Sequence, residues 1–225
     1  MELIVHDGPS EVARAAADRI AVLLAAVEGR FSLGLAGGTT PEATYRRLSA
    51  IGMDWQRVDA WLSDERWVPP DDARSNGRMV AETLTGPVGA GLERPRWSDS
   101  LTAADAAVHY EARLRSLHHA APPHLILLGL GADGHTASLF PGTPALGERS
   151  RWFVANEVPQ LGEVRLTATY PLLWAALRLM VLVVGVEKAA ALKESMEGKT
   201  PAGMLGDGDA EVEWHVDRDA ASLLD

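Results

Sequence analysis

Apolar positions along the chain alternate between two periods. Val12, Ala16, Ile20, Leu23, Leu24 and Val27 share one helical face after the turn Asp7-Gly8-Pro9-Ser10, so a helix is predicted from there to Gly29. Glu2–Val5 and Phe31–Ala36 flank it as short strands. A helix is predicted over Pro41–Ile51, with proline in its first turn, then a strand over Val58–Ser63 and a helix over Ser75–Leu84. Thr102 with Asp105 has the pattern of a capping box, with Asp in place of Glu, opening a helix to about His118. His124–Gly129 and Leu179–Gly185 are unbroken apolar runs, as expected of parallel strands buried on both faces. Trp152–Val158 and Arg165–Tyr170 are shorter candidate strands. Val186–Met196 reads as a helix, Glu211–Val216 as a last strand and Asp217–Leu224 as a closing helix. The Gly/Pro-rich stretches 86–95 and 198–208 read as loops.

Strands that alternate with helices in this way predict an α/β fold: a single domain over residues 1–225 with a Rossmann-like, mainly parallel sheet flanked by helices. Ligands of such sheets bind at the C-terminal ends of strands. The loops after Ala36, Ser63, Gly129 and Gly185 are therefore where chemistry is expected.

Composition narrows the field. The chain has 225 residues and a formal net charge of −10. That balance argues against nucleic acid and against anionic membranes as partners, since both require clustered positive charge. With no cysteine, disulfides, thiolate nucleophiles and cysteine-based zinc sites are excluded. The start MELIVHDGPSE has no basic region followed by an apolar run. The longest apolar run, Leu179 to Val184, falls far short of the ~20 residues that cross a bilayer. A cytoplasmic protein is expected, monomeric or a small homo-oligomer.

The first loop, Gly37-Gly38-Thr39-Thr40-Pro41, joins a strand to a helix. Its glycines admit close approach of a ligand, and two hydroxyls with the helix N-terminus suit a phosphate. The second, Ser63-Asp64-Glu65-Arg66-Trp67, places three charges past a strand, where Arg66 offers a planar fork for an anion. Asp64 and, further on, Asn76 are further candidate ligand contacts. The third, Gly129-Leu130-Gly131-Ala132-Asp133-Gly134-His135, contains a formal G-x-G-x-x-G. A dinucleotide reading fails, because Pro141 and Pro144 break the helix that should follow. Asp133 and His135, two residues apart at a sheet's ligand edge, suit acid–base work instead, with His135 as general base. Arg165 and Lys188 each read as a solvated charge when taken singly, yet both lie near element ends that could face one cleft.

Gly198-Lys199-Thr200 lacks the upstream glycine of a phosphate loop, and no G-x-S-x-G elbow is present. His118, His119 and His124 lack the spacing of a metal site, and no metal is expected.

Taken together, Leu35–Pro41, Ser63–Pro70 with Ser75-Asn76, Leu127–Pro141, Arg165–Pro171, Gly185–Lys188 and the tail Trp214–Ala220 resemble the 6-phosphogluconolactonase family. That family shares a superfamily with glucosamine-6-phosphate deaminase and ribose-5-phosphate isomerase. The resemblance implies hydrolysis of 6-phospho-D-glucono-1,5-lactone without metal or organic cofactor, on a Rossmann-like sheet that binds no dinucleotide. It implies that Gly37, Gly38, Thr39 and Thr40 hold the phosphate, that Arg66, Arg165 and Lys188 supply positive charge, and that His135 acts on water. Asp133 would then orient the imidazole and Arg66 would stabilise the oxyanion. Two positions depart from the family pattern: Leu166 where Met is frequent, and Trp174 where Asn is frequent. The deaminase relatives carry Glu immediately before the proline that matches Pro141, where this chain has Phe140. That difference favours ester hydrolysis over amino-sugar isomerisation. The remaining alternative is a non-catalytic sugar-phosphate sensor. The three cations are expected to converge in space.

Overall fold

The computed structural model describes residues 1–224. Seven strands form one parallel sheet in the order β1-β10-β9-β6-β2-β3-β5, and three form a small antiparallel sheet in the order β4-β8-β7. Their ranges are β1 Glu2–His6, β2 Phe31–Leu35, β3 Val58–Leu62, β4 Asp64–Arg66, β5 Leu92–Glu93, β6 Leu125–Gly129, β7 Phe153–Val158, β8 Glu163–Ala168, β9 Arg178–Val183 and β10 Glu211–Asp217. The helices are α1 Pro9–Ala26, α2 Thr39–Leu48, α3 Asn76–Val80, α4 Gly86–Val88, α5 Ala103–Leu117, α6 Tyr170–Ala175 and α7 Ala189–Met196.

The apolar strands separate two cores, because successive side chains leave a strand on opposite faces. Leu125 and Leu127 of β6, with Met180 and Leu182 of β9, pack against α1 and α2. Ile126 and Leu128, with Leu179, Val181 and Val183, pack against α5, α7 and the small sheet. Both faces of these runs are thus buried, which is why they carry no polar alternation.

The parallel sheet and most helices fall where the periodicity places them. Thr102 caps α5 by accepting the Asp105 N–H at 3.1 Å. Elsewhere the structure corrects the sequence reading. The charged segment after β3 is a strand, β4, because it pairs antiparallel with β8, Asp64 opposite Thr167 and Arg66 opposite Arg165. The strand expected over Arg165–Tyr170 ends at Ala168, and Tyr170 opens α6 with Pro171 in its first turn. The helix expected over Ser75–Leu84 is α3 followed by a π-helical turn, Ala81–Thr85. The 86–95 stretch is not all loop, since it holds α4 and β5. The segment after Gly185 begins with a 3-10 turn, Val186–Lys188, before α7. The closing helix does not form. β10 runs to Asp217 and the tail follows in turns, because the Asp217 carboxylate takes the Ala220 N–H at 2.8 Å and the Gly185 N–H at 3.0 Å.

Strand order reverses direction between β2 and β6: the chain leaves β2 toward β3 and leaves β6 toward β9. A crevice opens at such a switch point, at the C-terminal ends of the strands.

Candidate active site

A cavity of about 210 Å³ occupies that crevice. The parallel sheet supplies most of it, through the turn after β2 (Ala36–Pro41), the loop after β6 (Gly129–Gly131, His135, Ala137) and the end of β9 with Lys188. The small sheet supplies Asp64 and Arg66, and α3 supplies Asn76.

The turn after β2 leads into α2, whose first turn no side chain caps. Its leading N–H groups and the positive end of its dipole are therefore open to an anion. Gly37 is required by its neighbour, since a Cβ there would lie 1.8 Å from Asn76 Oδ1. Asn76 Nδ2 donates to the Asp64 carbonyl at 2.9 Å, while its buried Oδ1 has no hydrogen-bond partner among the described residues. Lys188 forms no ion pair among the described residues, so its charge is available to a ligand. Its N–H donates to the Gly185 carbonyl at 3.0 Å, and Gly185 is held by Asp217.

His135 and Asp133 form a pair. His135 Nδ1 lies 2.5 Å from Asp133 Oδ1. Burial pushes the Asp133 carboxyl up, but the charge and hydrogen bonds of His135 outweigh it and hold the group below its ordinary value. The carboxylate is thus an acceptor and Nδ1 is the ring nitrogen that donates to it, which leaves Nε2 facing away from the pair. The ring stacks on Phe140, centroids 4.0 Å apart. Gly131 makes room for the pair, because a Cβ would lie 2.1 Å from His135 Nδ1. Thr200 packs against Gly134 from behind, and the Ala202 N–H donates to the Gly134 carbonyl at 3.0 Å. The Gly198-Lys199-Thr200 string is therefore a support for this loop. Ala137, on the cavity wall, has φ of +46°, the one positive value at a non-glycine among the described residues. Strain of this kind persists where surrounding structure fixes it, typically at functional sites.

The small-sheet wall is held by buried polar contacts. Ser138 Oγ donates to Asp64 Oδ2 at 2.8 Å, and Thr167 Oγ1 accepts the Ser138 N–H at 3.0 Å. Glu65 is 7% exposed. Its carboxylate accepts the N–H groups of Arg66 (2.8 Å), Asn76 (2.7 Å) and Gly77 (2.8 Å) and the Ser75 hydroxyl (2.9 Å). Burial raises its pKa against the pull of these donors. It ties the Arg66 and Asn76 backbones together, a role for which its place among three charges gave no signal. Asp217 was missed likewise, because it reads as the start of a helix.

Of the three cations expected to converge, two meet at the cavity and the third stands beside one of them. Arg66 and Lys188 line the cavity, but Arg165 does not. Arg165 stands across from Arg66 on β8, its Nη2 2.7 Å from Glu163 Oε2. Burial, reinforced by the charge of Arg66, lowers its pKa. His118 and His124 are structural. His118 Nδ1 donates to the Leu114 carbonyl at 2.9 Å, and His124 Nδ1 accepts the Ser32 N–H at 3.1 Å. No helix of the described residues is long and apolar enough to cross a membrane.

A cavity at the sheet's switch point, with an open helix N-terminus, a lysine and the histidine of an Asp–His pair on its wall, defines an anion-binding site with a candidate base on an α/β fold. The family model described as glucosamine-6-phosphate isomerases/6-phosphogluconolactonase matches residues 7–214, and the chain belongs to that family. A 6-phosphogluconolactonase from Rhizobium meliloti (strain 1021) is 39% identical over 201 residues, 85% of each chain. The 6-phosphogluconolactonase structure from Trypanosoma brucei is similar at a TM-score of 0.89 and 26% identity, covering 100% of this chain and 98% of that one. A monomeric glucosamine-6-phosphate deaminase is similar at a TM-score of 0.84 and 25% identity, covering 99% and 100%.

Proposed function

We propose that this chain, acting as one domain, hydrolyses 6-phospho-D-glucono-1,5-lactone to 6-phospho-D-gluconate, the second step of the oxidative pentose phosphate route. The observation that carries the reading is the Asp133–His135 pair, with an unpartnered Nε2, in the same cavity as the open N-terminus of α2 and Lys188. The 39% identical lactonase supports the substrate. Phe140 supports hydrolysis over deamination, since it puts an apolar ring against His135 where the deaminase pattern has a carboxylate.

On this reading the phosphate sits at Gly37–Thr40 and the α2 N-terminus, with Lys188 as its counter-charge. His135 Nε2 removes a proton from water as the oxygen attacks C1, and Asp133 stabilises the imidazolium. Arg66 meets the oxyanion. The tetrahedral intermediate collapses, the C1–ring-oxygen bond breaks, and His135 returns the proton to the departing oxygen. Asp64 and Asn76 contact sugar hydroxyls, Asn76 through its free Oδ1. Arg165 acts from behind Arg66, keeping positive potential at that wall. The enzyme works in the cytoplasm on a free sugar phosphate, with no resident cofactor.

The test is lactone turnover read through 6-phosphogluconate dehydrogenase, with spontaneous hydrolysis subtracted. Acceleration well above that background is expected, with no release of ammonia from glucosamine 6-phosphate. Binding of 6-phosphogluconate without turnover would replace the enzyme by a sensor, and ammonia release would replace it by a deaminase.

A further inference from the structure

We propose that the chain has a second ligand site, for a nucleoside phosphate, on the far side of Arg66 from the sugar-phosphate cavity. A second cavity of about 230 Å³ lies there, and its wall includes Arg66, Trp67, Arg94, Arg96 and Trp97. The Trp67 and Trp97 rings stand 6.3 Å apart at 49°. That spacing and tilt leave no slot between them, so a base stacks on an outer indole face.

The free side-chain hydrogen-bonding groups of this cavity are all donors among the described residues. Among the described residues, Arg94 and Arg96 donate to nothing, whereas every other arginine side chain bonds or pairs with a partner. The indole N–H groups of Trp67 and Trp97 also donate to nothing among the described residues. The one carboxylate at the wall, Glu65, is already saturated by four donors. A ligand for such a wall must be rich in acceptors and carry a flat apolar face. Phosphate oxygens meet the guanidinium groups and a purine ring meets the indoles.

The site requires no turnover and stands apart from the lactonase reading. Arg66 alone is shared between the two cavities. Occupancy of one is therefore felt in the other, and the effect is reciprocal.

The probe is ADP, titrated calorimetrically and by tryptophan fluorescence, with adenosine and inorganic phosphate as separate arms. ADP should bind at least about tenfold more tightly than either part, since charge-assisted bonds and stacking each contribute. Arg94→Ala/Arg96→Ala should weaken ADP by roughly tenfold or more and leave kcat on the sugar phosphate unchanged. Trp97→Leu should remove most of the fluorescence change. Arg96→Ala alone, with a melting curve, serves if the double variant unfolds. The proposal is overturned if ADP does not bind at millimolar concentration. It is equally overturned if binding survives loss of Arg96, or if phosphate or adenosine alone binds as tightly as ADP.

Discussion

The cavity has two walls built in different ways. Under the loops of β2, β6 and β9 lies tightly packed apolar side-chain surface, and the functional groups sit on turns above it. Under Asp64 and Arg66 lies a mesh of buried hydroxyls, amides and carboxylates: Glu65, Ser75, Asn76, Ser138 and Thr167. On the first wall, chemistry and stability reside in different residues. On the second they reside in the same ones. A buried polar mesh fixes geometry closely, yet it loses much if any member fails.

The largest effect expected is on the first wall. His135→Ala should lower kcat by roughly 100-fold or more, the value of general base help, with the melting temperature almost unchanged. Wild-type turnover in that variant would remove His135 from the mechanism and collapse the contrast. On the second wall, Glu65→Gln should damage both properties. It turns an amide NH2 toward two of the four donors, which costs about 2–3 kcal/mol. For a chain of this size, a loss of roughly 5–10 °C in melting temperature follows, with a raised KM as Arg66 and Asn76 shift. A variant as stable and active as wild type would show that the mesh is not needed.

Two buried carboxylates sharpen the contrast further. Glu65 is met by neutral donors and is pushed up by burial. Glu213, on β10, lies 3.6 Å from His215 and 2.5 Å from Arg19. The His215 contact lowers its pKa, burial opposes it, and Arg19 adds to the lowering, leaving the group at about 2. A depressed carboxylate contributes stability that is fully present above its ordinary value of 4.5 and fades as pH falls through about 2. Glu213→Gln should therefore destabilise by about 2 kcal/mol at neutral pH, the gap closing below about pH 2 in acid melts. A gap independent of pH would assign the effect to packing. The smallest effect expected is on binding: Lys188→Ala should raise KM about tenfold with kcat nearly constant, because a phosphate contact persists through the reaction. Asp217→Ala should reproduce part of that rise through Gly185, and a fall in kcat instead would place Lys188 at the reacting carbon.

The same division governs what could be read from the chain. The first wall was legible because its parts are local: an apolar run, a Gly-Gly turn, a helix with proline in its first turn, and the Asp133–His135 spacing. The second was not. Asp64-Glu65-Arg66 reads as a charged loop, and becomes a strand only through pairing with β8, about a hundred residues away. Arg165 was placed with the other cations for its charge, but strand register turned it toward Glu163. Asp217 looked like a helix start because its partners, the Gly185 and Ala220 N–H groups, are set by the fold.

The pairing of β1 with β10 has a consequence for how the molecule is made. Glu2–His6 lies beside Glu213–Asp217 at one edge of the sheet, and among the described residues β1 has no other strand neighbour. During synthesis β1 leaves the ribosome well before β10 and waits for its partner while roughly 200 residues are added, about 10–40 s at ordinary elongation rates. Through that interval the backbone donors and acceptors of β1 are open, and Leu3 and Val5, still exposed in the finished protein, are available to any passing edge. The nascent chain is therefore open to edge-to-edge association at β1 until β10 emerges, and co-translational chaperones have a natural point of action there.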